Sequence, residues 1–183
     1  MSIEIEKKYR LTEKQRAELL RRLPQIGATP QSEEFEENTL YGGDLLDVGR
    51  CVLRLRRVGD NAILTYKERY PSSSSIKQQR EEETHVSDAD AMETILDALG
   101  FAPALIYEKR RATWRLGETE IALDELPFGL FMEIEGTEAD IRKVERRLAI
   151  KGLRAEPATY PLLTQRRGKR YGNVIEARFE NSK

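Results

Sequence analysis

The chain has little of what disulfide-bonded and zinc-binding proteins need. Among its 183 residues there is one cysteine, Cys51, and one histidine, His85. A single cysteine cannot form an internal disulfide, which favours a reducing compartment, and we therefore expect a cytoplasmic protein. One cysteine and one histidine are also too few for a zinc site of the usual kind, so a metal ion would have to be bound by carboxylates.

Long apolar runs and a surplus of one charge are absent as well. There is no stretch of about 18 apolar residues, so the sequence predicts neither a membrane-spanning helix nor a secretory signal. Charged residues make up 34% of the chain, yet the net charge is −1. Nucleic acids and membrane surfaces attract proteins with an excess of lysine and arginine, so neither is expected as a partner.

Capping, turn and periodicity signals predict strands interrupted by a few helices. Thr12 and Gln15 form a capping box that opens an amphipathic helix, and Gly59-Asp60-Asn61 turns one strand into the next. Hairpin-linked strands with helices at a few connections indicate an α+β fold with a largely antiparallel sheet. We predict one domain over residues 1–170, followed by a C-terminal tail at 171–183.

Charged and apolar residues alternate along most of the predicted strands. Strand side chains point alternately to two faces, so Glu4, Glu6 and Lys8 share one face and lie opposite Ile3 and Ile5. The same sorting gives six further strands a charged face. In total, these faces carry the acids Glu4, Glu6, Glu82, Asp124, Glu133 and Glu135 and the bases Lys8, Arg54, Arg56, Lys67, Arg80, Lys109 and Arg111.

Two arrangements of the sheet agree with this pattern. In an open sheet the charged faces would form ion pairs in water, and the apolar faces would need more cover than three amphipathic helices supply. A sheet curled into a barrel turns the charged faces inward and places the helices outside. A water-filled lumen tolerates charged side chains that a dry core would not. We predict an eight-stranded antiparallel β-barrel, a tunnel with a charged lumen, flanked by about three to four helices.

The charged faces have an acidic and a basic part. Glutamates two residues apart, as in Glu4/Glu6 and Glu133/Glu135, project their carboxylates side by side, and hard divalent cations prefer such oxygen ligands. Arginine and lysine side chains match the oxygens of phosphate groups. Acids and bases in one cavity therefore fit a metal-bound polyphosphate. Mutual neutralisation by internal salt bridges, without a ligand, is the alternative.

Several motifs resemble those of one known family. Glu4-Ile5-Glu6-Lys7-Lys8 is similar to the ExExK signature of the CYTH domain family, the triphosphate tunnel metalloenzymes. Later motifs follow in the family's order, over about residues 1–165: Leu53–Arg56, Leu64–Lys67, Arg80–Glu82, Glu108–Arg111, Leu123–Pro127 and Phe131–Gly136. The resemblance implies an eight-stranded antiparallel tunnel. The family includes inorganic, thiamine and RNA 5′-triphosphatases and class IV adenylate cyclases.

The resemblance implies a role for each matched residue. Metal ligation falls to Glu4, Glu6, Asp124, Glu133 and Glu135, with Glu82 near the metal, and the cofactor would be one or two Mg²⁺ or Mn²⁺ ions. Phosphate binding falls to Lys8, Arg54, Arg56, Lys67, Lys109 and Arg111, with Arg80 as a further candidate. Glu4, Glu6, Lys8 and Glu135 would carry the catalysis. Thr84, Asn38 and Tyr41 depart from residues common in the family.

The expected function is metal-dependent hydrolysis of a small-molecule triphosphate, which would be inorganic triphosphate, thiamine triphosphate or a nucleoside triphosphate. One alternative is a class IV adenylate cyclase that forms cyclic AMP and pyrophosphate from ATP. A second alternative is a non-catalytic module that binds polyphosphates or nucleotides. The oligomeric state is open, and a homodimer is one option.

Overall fold

The computed structural model describes residues 2–47, 49–70 and 77–180, and of residues 2–4, 69, 77 and 78 it describes the backbone only. Four helices and eleven strands occur in these residues. In chain order they are β1 Ser2–Leu11, α1 Glu13–Gln25, β2 Thr29–Gly42, β3 Cys51–Val58, β4 Asn61–Arg69, β5 Lys77–Val86, α2 Ala89–Ala98, β6 Ala102–Leu116, β7 Thr119–Leu126, β8 Gly129–Glu135, α3 Glu138–Leu148, β9 Arg154–Ala155, α4 Tyr160–Arg167, β10 Lys169–Tyr171 and β11 Val174–Ala177.

The long strands form a largely antiparallel sheet. β1 pairs with β5 and β8, β2 pairs with β3 and β6, and β4 lies between β3 and β5. β7 pairs with both β8 and β6. Each of the strands β1–β8 therefore has a partner on both sides. The predicted α+β fold, with an antiparallel sheet and about three to four helices, is confirmed in these terms.

One apolar core lies between helices α1 and α3 and the strands β1, β7 and β8. Its members are the buried side chains of Tyr9, Leu11, Leu19, Leu23, Ala28, Ile121, Leu123, Leu130, Met132, Ile134, Ile141, Val144, Leu148 and Ile150. Ile121 and Leu123 alternate with Asp124 and Glu120 along β7, so the helices cover one face of the strand and the acids lie on the other. Because the helices bury the apolar face of the strands, the charged face remains available for a binding site.

Helices α2 and α4 cover two further apolar clusters. Leu96 of α2 packs with Tyr41, Leu55 and Ala62. Tyr160 and Leu163 of α4 belong to a separate cluster whose other buried members are Leu40, Tyr107, Leu126, Phe131, Ala158 and Ala177. Phe131 shares its strand face with Glu133, so α4 packs against the same side of β8 that carries the charges.

The segment after residue 170, which the sequence indicates as a tail, contains ordered structure in its described part. β11 pairs parallel to β6, with Ile175 opposite Leu105. Beyond it, the Phe179 backbone N–H donates to Glu108 at 2.7 Å. Sequence periodicity over four residues is too short to predict such a strand.

Helix capping at the start of α1 follows the sequence. The Thr12–Gln15 capping box is confirmed. Asp88 caps α2 through its side chain, which accepts a hydrogen bond from the backbone N–H of Ala91. None of the helices found in residues 2–47, 49–70 and 77–180 is long and apolar enough to cross a bilayer.

Candidate active site

A cavity of about 310 Å³ lies on the charged side of the sheet and takes residues from all eight long strands. Six cations line it: Lys8, Arg54, Arg56, Lys67, Lys109 and Arg111. Five acids line it with them: Glu81, Glu83, Glu120, Glu133 and Glu135. Side chains two apart on a strand share a face, which is why Arg54/Arg56 and Lys109/Arg111 arrive as pairs. Six of the seven bases predicted from sequence are thus brought together.

Asp124 organises one side of the cavity from beneath. It is fully buried and accepts two hydrogen bonds from Arg111, at 2.8 and 2.7 Å. The Tyr160 hydroxyl donates to the same carboxylate at 2.7 Å, and Lys109 Nζ lies 3.6 Å away. Burial would lower the pKa of Arg111, but Asp124 and Glu133 raise it well above its usual range. Arg111 therefore stays charged and fixed in direction.

Lys8 and Glu133 form a second pair in the cavity wall. Lys8 is 2% exposed, and its Nζ lies 3.1 Å from Glu133 and 3.8 Å from the centroid of the Tyr160 ring. Burial lowers the pKa of Lys8, yet Glu133 and Glu6 outweigh it, so the pKa is raised. Glu133 also accepts a hydrogen bond from Arg111. The predicted phosphate-binding Lys8 and the predicted metal ligand Glu133 are thus adjacent.

The opposite wall is formed by β3, β4 and β5. Arg54 Nη2 donates to Thr65 Oγ1 at 3.1 Å and to Glu83 at 3.3 Å. Lys67 pairs with Glu81 at 2.8 Å. Burial would raise the pKa of Glu83, but its hydrogen bond from Thr65 and its nearby cations lower it. These contacts fix the directions of the Arg54 and Lys67 side chains at the cavity surface.

Carboxylates meet across β7, β8 and β1 at one end of the cavity. Glu135 lies directly opposite Glu120 of β7 and directly opposite Glu6 of β1. Carboxylate oxygens placed this close together are the ligands that a hard divalent cation prefers. The backbone of Glu4 lies opposite Gln79, and its side chain is outside the described residues. Among the side chains that are described, no three acids already converge on one metal position.

Arg80 and Glu82 are placed differently from the sequence prediction. They pair with each other at 3.3 Å, their side chains are 37% and 47% exposed, and they do not line the cavity. Gln79, Glu81 and Glu83 take the inward positions. The assignment was wrong by one residue because β5 carries polar residues on both faces, so period two gives no apolar side to compare.

The arrangement of motifs and cavity agrees with a family match. A family model described as the CYTH domain matches residues 2–158. The chain belongs to the CYTH domain family. A search of the curated proteins finds no match.

Solved structures with the same fold include several proteins similar to this CYTH chain. The PH1012 protein of Pyrococcus horikoshii OT3 superposes with a TM-score of 0.75 at 26% identity, over 87% of this chain and 98% of that one. A candidate adenylate cyclase from Vibrio parahaemolyticus gives 0.68 at 23% identity, over 87% and 96%. A candidate adenylyl cyclase from Hippeastrum, with a dominant triphosphatase activity, gives 0.69 at 20%, over 94% and 99%. The last two comparisons show the shared fold.

The sequence prediction missed two acids, one behind the CYTH cavity and one in its lining. Glu36 lies fully buried on β2, 3.2 Å from Lys109, and Glu120 lines the cavity two positions before Ala122. Glu36 and Asn38 share a strand face with Leu40, which also lines the cavity, and this spacing was the available signal. Burial raises the pKa of Glu36, but Lys109, Arg56 and Arg111 together lower it below its usual value.

Some of the side chains that line the cavity are apolar or aromatic. Leu40, Val52, Tyr107, Tyr160 and Pro161 line it, and the Tyr160 ring lies edge-on to Phe131 at a centroid distance of 5.4 Å. Burial and the charge of Asp124 raise the pKa of Tyr160 well above its usual value, so its hydroxyl stays protonated as a donor. The cavity therefore offers a charged region and a smaller apolar region to one ligand.

Proposed function

We propose that this CYTH chain hydrolyses a triphosphate with the help of Mg²⁺ or Mn²⁺, inside a tunnel formed by β1–β8. The pairing of every long strand on both sides supports a closed wall. The observation that carries the proposal is the lining: six cations and five carboxylates face one cavity of about 310 Å³. A polyphosphate with bound divalent cations matches both signs of charge, whereas a simple carboxylate substrate would leave the acids unused.

The donor set fits a hard divalent cation at the acidic end. Glu6 and Glu135 would hold it, with Glu133 beside them, and Glu4, which the sequence predicts to share a face of β1 with Glu6, would be a further ligand. Asp124, which the resemblance implies as a ligand, has its oxygens occupied by Arg111 and Tyr160. We assign Asp124 to orienting Arg111. When bound, the cation would neutralise phosphate charge and make a coordinated water more acidic.

The lysine and arginine side chains of the cavity would bind the phosphate groups and stabilise the charge that develops during the reaction. Arg54, Arg56 and Lys67 would bind and orient the phosphate groups on one wall. Lys8 and Arg111 would lie against the group that becomes more negative as the bond to the leaving phosphate breaks. Because their partners Glu133 and Asp124 are already in place, little rearrangement would be needed during the reaction.

The direct test is phosphate release from inorganic triphosphate, thiamine triphosphate and ATP, each with Mg²⁺ or Mn²⁺, with cyclic AMP measured in parallel. Phosphate release that needs the metal supports the proposal. Glu135→Gln should lower kcat about a hundredfold or more, whereas Arg54→Ala should mainly raise KM. Metal-dependent release at the wild-type rate by Glu135→Gln would refute the metal assignment.

Strand β5 supplies matched controls. Glu82→Gln and Arg80→Ala remove charges from the same sheet but from its outer side, where the two residues pair with each other. Both variants should keep kcat and KM within about twofold of the wild type, as surface substitutions usually do. Equal losses in the β5 controls and in Arg54→Ala would mean that the loss of charge in general, rather than cavity binding, explains the effect.

A class IV adenylate cyclase is the second candidate, and the apolar part of the cavity lining supports it. Leu40, Val52 and Tyr107 offer a surface for an organic group attached to a triphosphate, as in ATP. The same surface would accept the thiamine group of thiamine triphosphate. Formation of cyclic AMP with pyrophosphate, in place of phosphate release, would decide for the cyclase. Tight triphosphate binding without any product would indicate a non-catalytic module.

A further inference from the structure

A second fully buried carboxylate, besides Asp124, lies behind the basic part of the cavity. Glu36 is 0% exposed and does not line the cavity. Its Oε2 lies 3.2 Å from Lys109 Nζ and 3.5 Å from Arg56 Nε, and its Oε1 lies 3.8 Å from Arg111 Nε. The three cations come from β3 and β6, the two strands that pair with β2 on either side. Glu36 is thus placed where the two walls meet.

We propose that Glu36 is a positioning residue that holds Arg56, Lys109 and Arg111 together as a preassembled binding site for phosphate groups. This inference rests on the proposed function, since it assumes that the three cations bind a polyphosphate. Glu36 itself would not touch the substrate, because the cations stand between it and the cavity.

The contacts indicate that Glu36 acts through its charge. It accepts a hydrogen bond from Asn38 at 3.2 Å, and its Oε1 has no hydrogen-bond partner. Arg56 Nε also has none, although it lies 3.5 Å from the carboxylate. Long contacts of this kind give little directed bonding, whereas Coulomb attraction at such distances is strong in a buried site.

Without Glu36, the three cations would keep different numbers of contacts with acids. Asp124 also contacts Lys109 and Arg111, at 3.6 and 2.7 Å. Of the acids in the described structure, Glu36 is the one within 4.0 Å of Arg56. Arg54 and Arg111 both act on Arg56 as like charges. Without Glu36 the repulsion would favour other rotamers of Arg56, and the substrate would have to reassemble the site at a cost in affinity.

The experiment compares Glu36→Gln, which keeps shape and loses charge, with Glu36→Asp, which keeps charge and loses one methylene. Glu37→Gln is the matched control, because Glu37 is the next residue on β2 and pairs with Arg178 on the outer side. Binding of inorganic triphosphate is measured by calorimetry in EDTA, where the cations act without metal and no turnover occurs. KM and kcat are then measured with Mg²⁺.

Glu36→Gln should weaken triphosphate binding about tenfold, equivalent to about 1.4 kcal/mol, and raise KM similarly, with kcat within about threefold of the wild type. Glu36→Asp should lose about threefold, and Glu37→Gln should bind within about twofold of the wild type. Unchanged or tighter binding by Glu36→Gln would overturn the proposal. A greater loss in Glu36→Asp than in Glu36→Gln would show a packing role and also overturn it.

Two further outcomes keep this test separate from that of the proposed function. Wild-type protein that binds triphosphate but releases no phosphate would refute hydrolysis, while the binding series would still decide the role of Glu36. Wild-type protein that binds no triphosphate in EDTA would overturn the role of Glu36, and wild-type protein that binds none with Mg²⁺ either would overturn both. If thermal unfolding shows that Glu36→Gln does not fold, Glu36→Asp decides: a threefold loss of affinity at unchanged kcat supports the proposal, and wild-type affinity overturns it.

Discussion

Replacing Asp124 by asparagine should destabilise the protein by about 3 kcal/mol, the lower end of the usual cost of removing one partner from a buried ion pair, because Glu133 would still accept a hydrogen bond from Arg111. Asp124 is 0% exposed, and both of its oxygens accept hydrogen bonds from Arg111, at 2.8 and 2.7 Å. Asparagine keeps the shape but offers a single acceptor and no charge. Arg111, whose pKa is raised well above its usual range, would remain a cation.

The measurement is urea unfolding in EDTA, so that metal binding does not enter. With a slope of about 2 kcal/mol per molar urea, the midpoint should fall by about 1.5 M. Glu125→Gln is the control: it is the next residue on β7, and its partner Arg110 lies 3.1 Å away in a pair that is 35% and 54% exposed. Solvent-exposed pairs contribute about 0–1 kcal/mol. Equal midpoint shifts in the two variants would refute the reasoning.

Three other measurements follow from the same network. Burial, which would raise the pKa of Glu36, is outweighed by Lys109 and the nearby arginines, so the pKa is lowered. The stability that Glu36 contributes is then present above its unfolded pKa of about 4.3 and is lost as the pH falls further, so the gap in unfolding free energy between wild type and Glu36→Gln should shrink between pH 5 and pH 2. A constant gap would contradict this. Tyr160→Phe removes the donor at 2.7 Å from Asp124 and should cost about 1.5–3 kcal/mol in urea unfolding, and no loss would contradict the hydrogen bond. Activity should disappear in EDTA and return with Mg²⁺ in wild type and in Glu82→Gln alike, and failure to return in Glu82→Gln alone would restore a metal role to that residue.

Face assignment from sequence worked where one side of a strand was apolar. In β3, Leu53 and Leu55 mark the outer face, and Arg54 and Arg56 accordingly line the cavity. In β6, Trp114 packs against the apolar core that helices α1 and α3 cover. A period-two pattern needs such a contrast, because the hydrophobic effect decides which face is buried.

The same logic explains the failures. From Arg80 to His85 strand β5 is polar at every position, so no apolar side chain there marks one face. Val86 was the missed signal, because it packs against the cluster of Leu55 and Leu96 and, by period two, shares a strand face with Arg80 and Glu82. Glu36 was missed because buried acids are rare, and only its three-dimensional surroundings of cations make its burial tolerable.

The pairing of β1 with both β5 and β8 has a consequence for how this chain folds. Glu6 has Cα partners at Lys77 and Glu135, and β11 reaches β6 across about seventy positions of chain. Neighbours so distant in sequence give a high relative contact order. The chain loses the conformational entropy of the intervening loops before these contacts can stabilise it. A nascent chain leaving the ribosome would hold β1 unpaired on one edge until β8 had been synthesised. Exposed strand edges of that kind are templates for aggregation, so expression at lower temperature or with chaperones should raise the soluble yield.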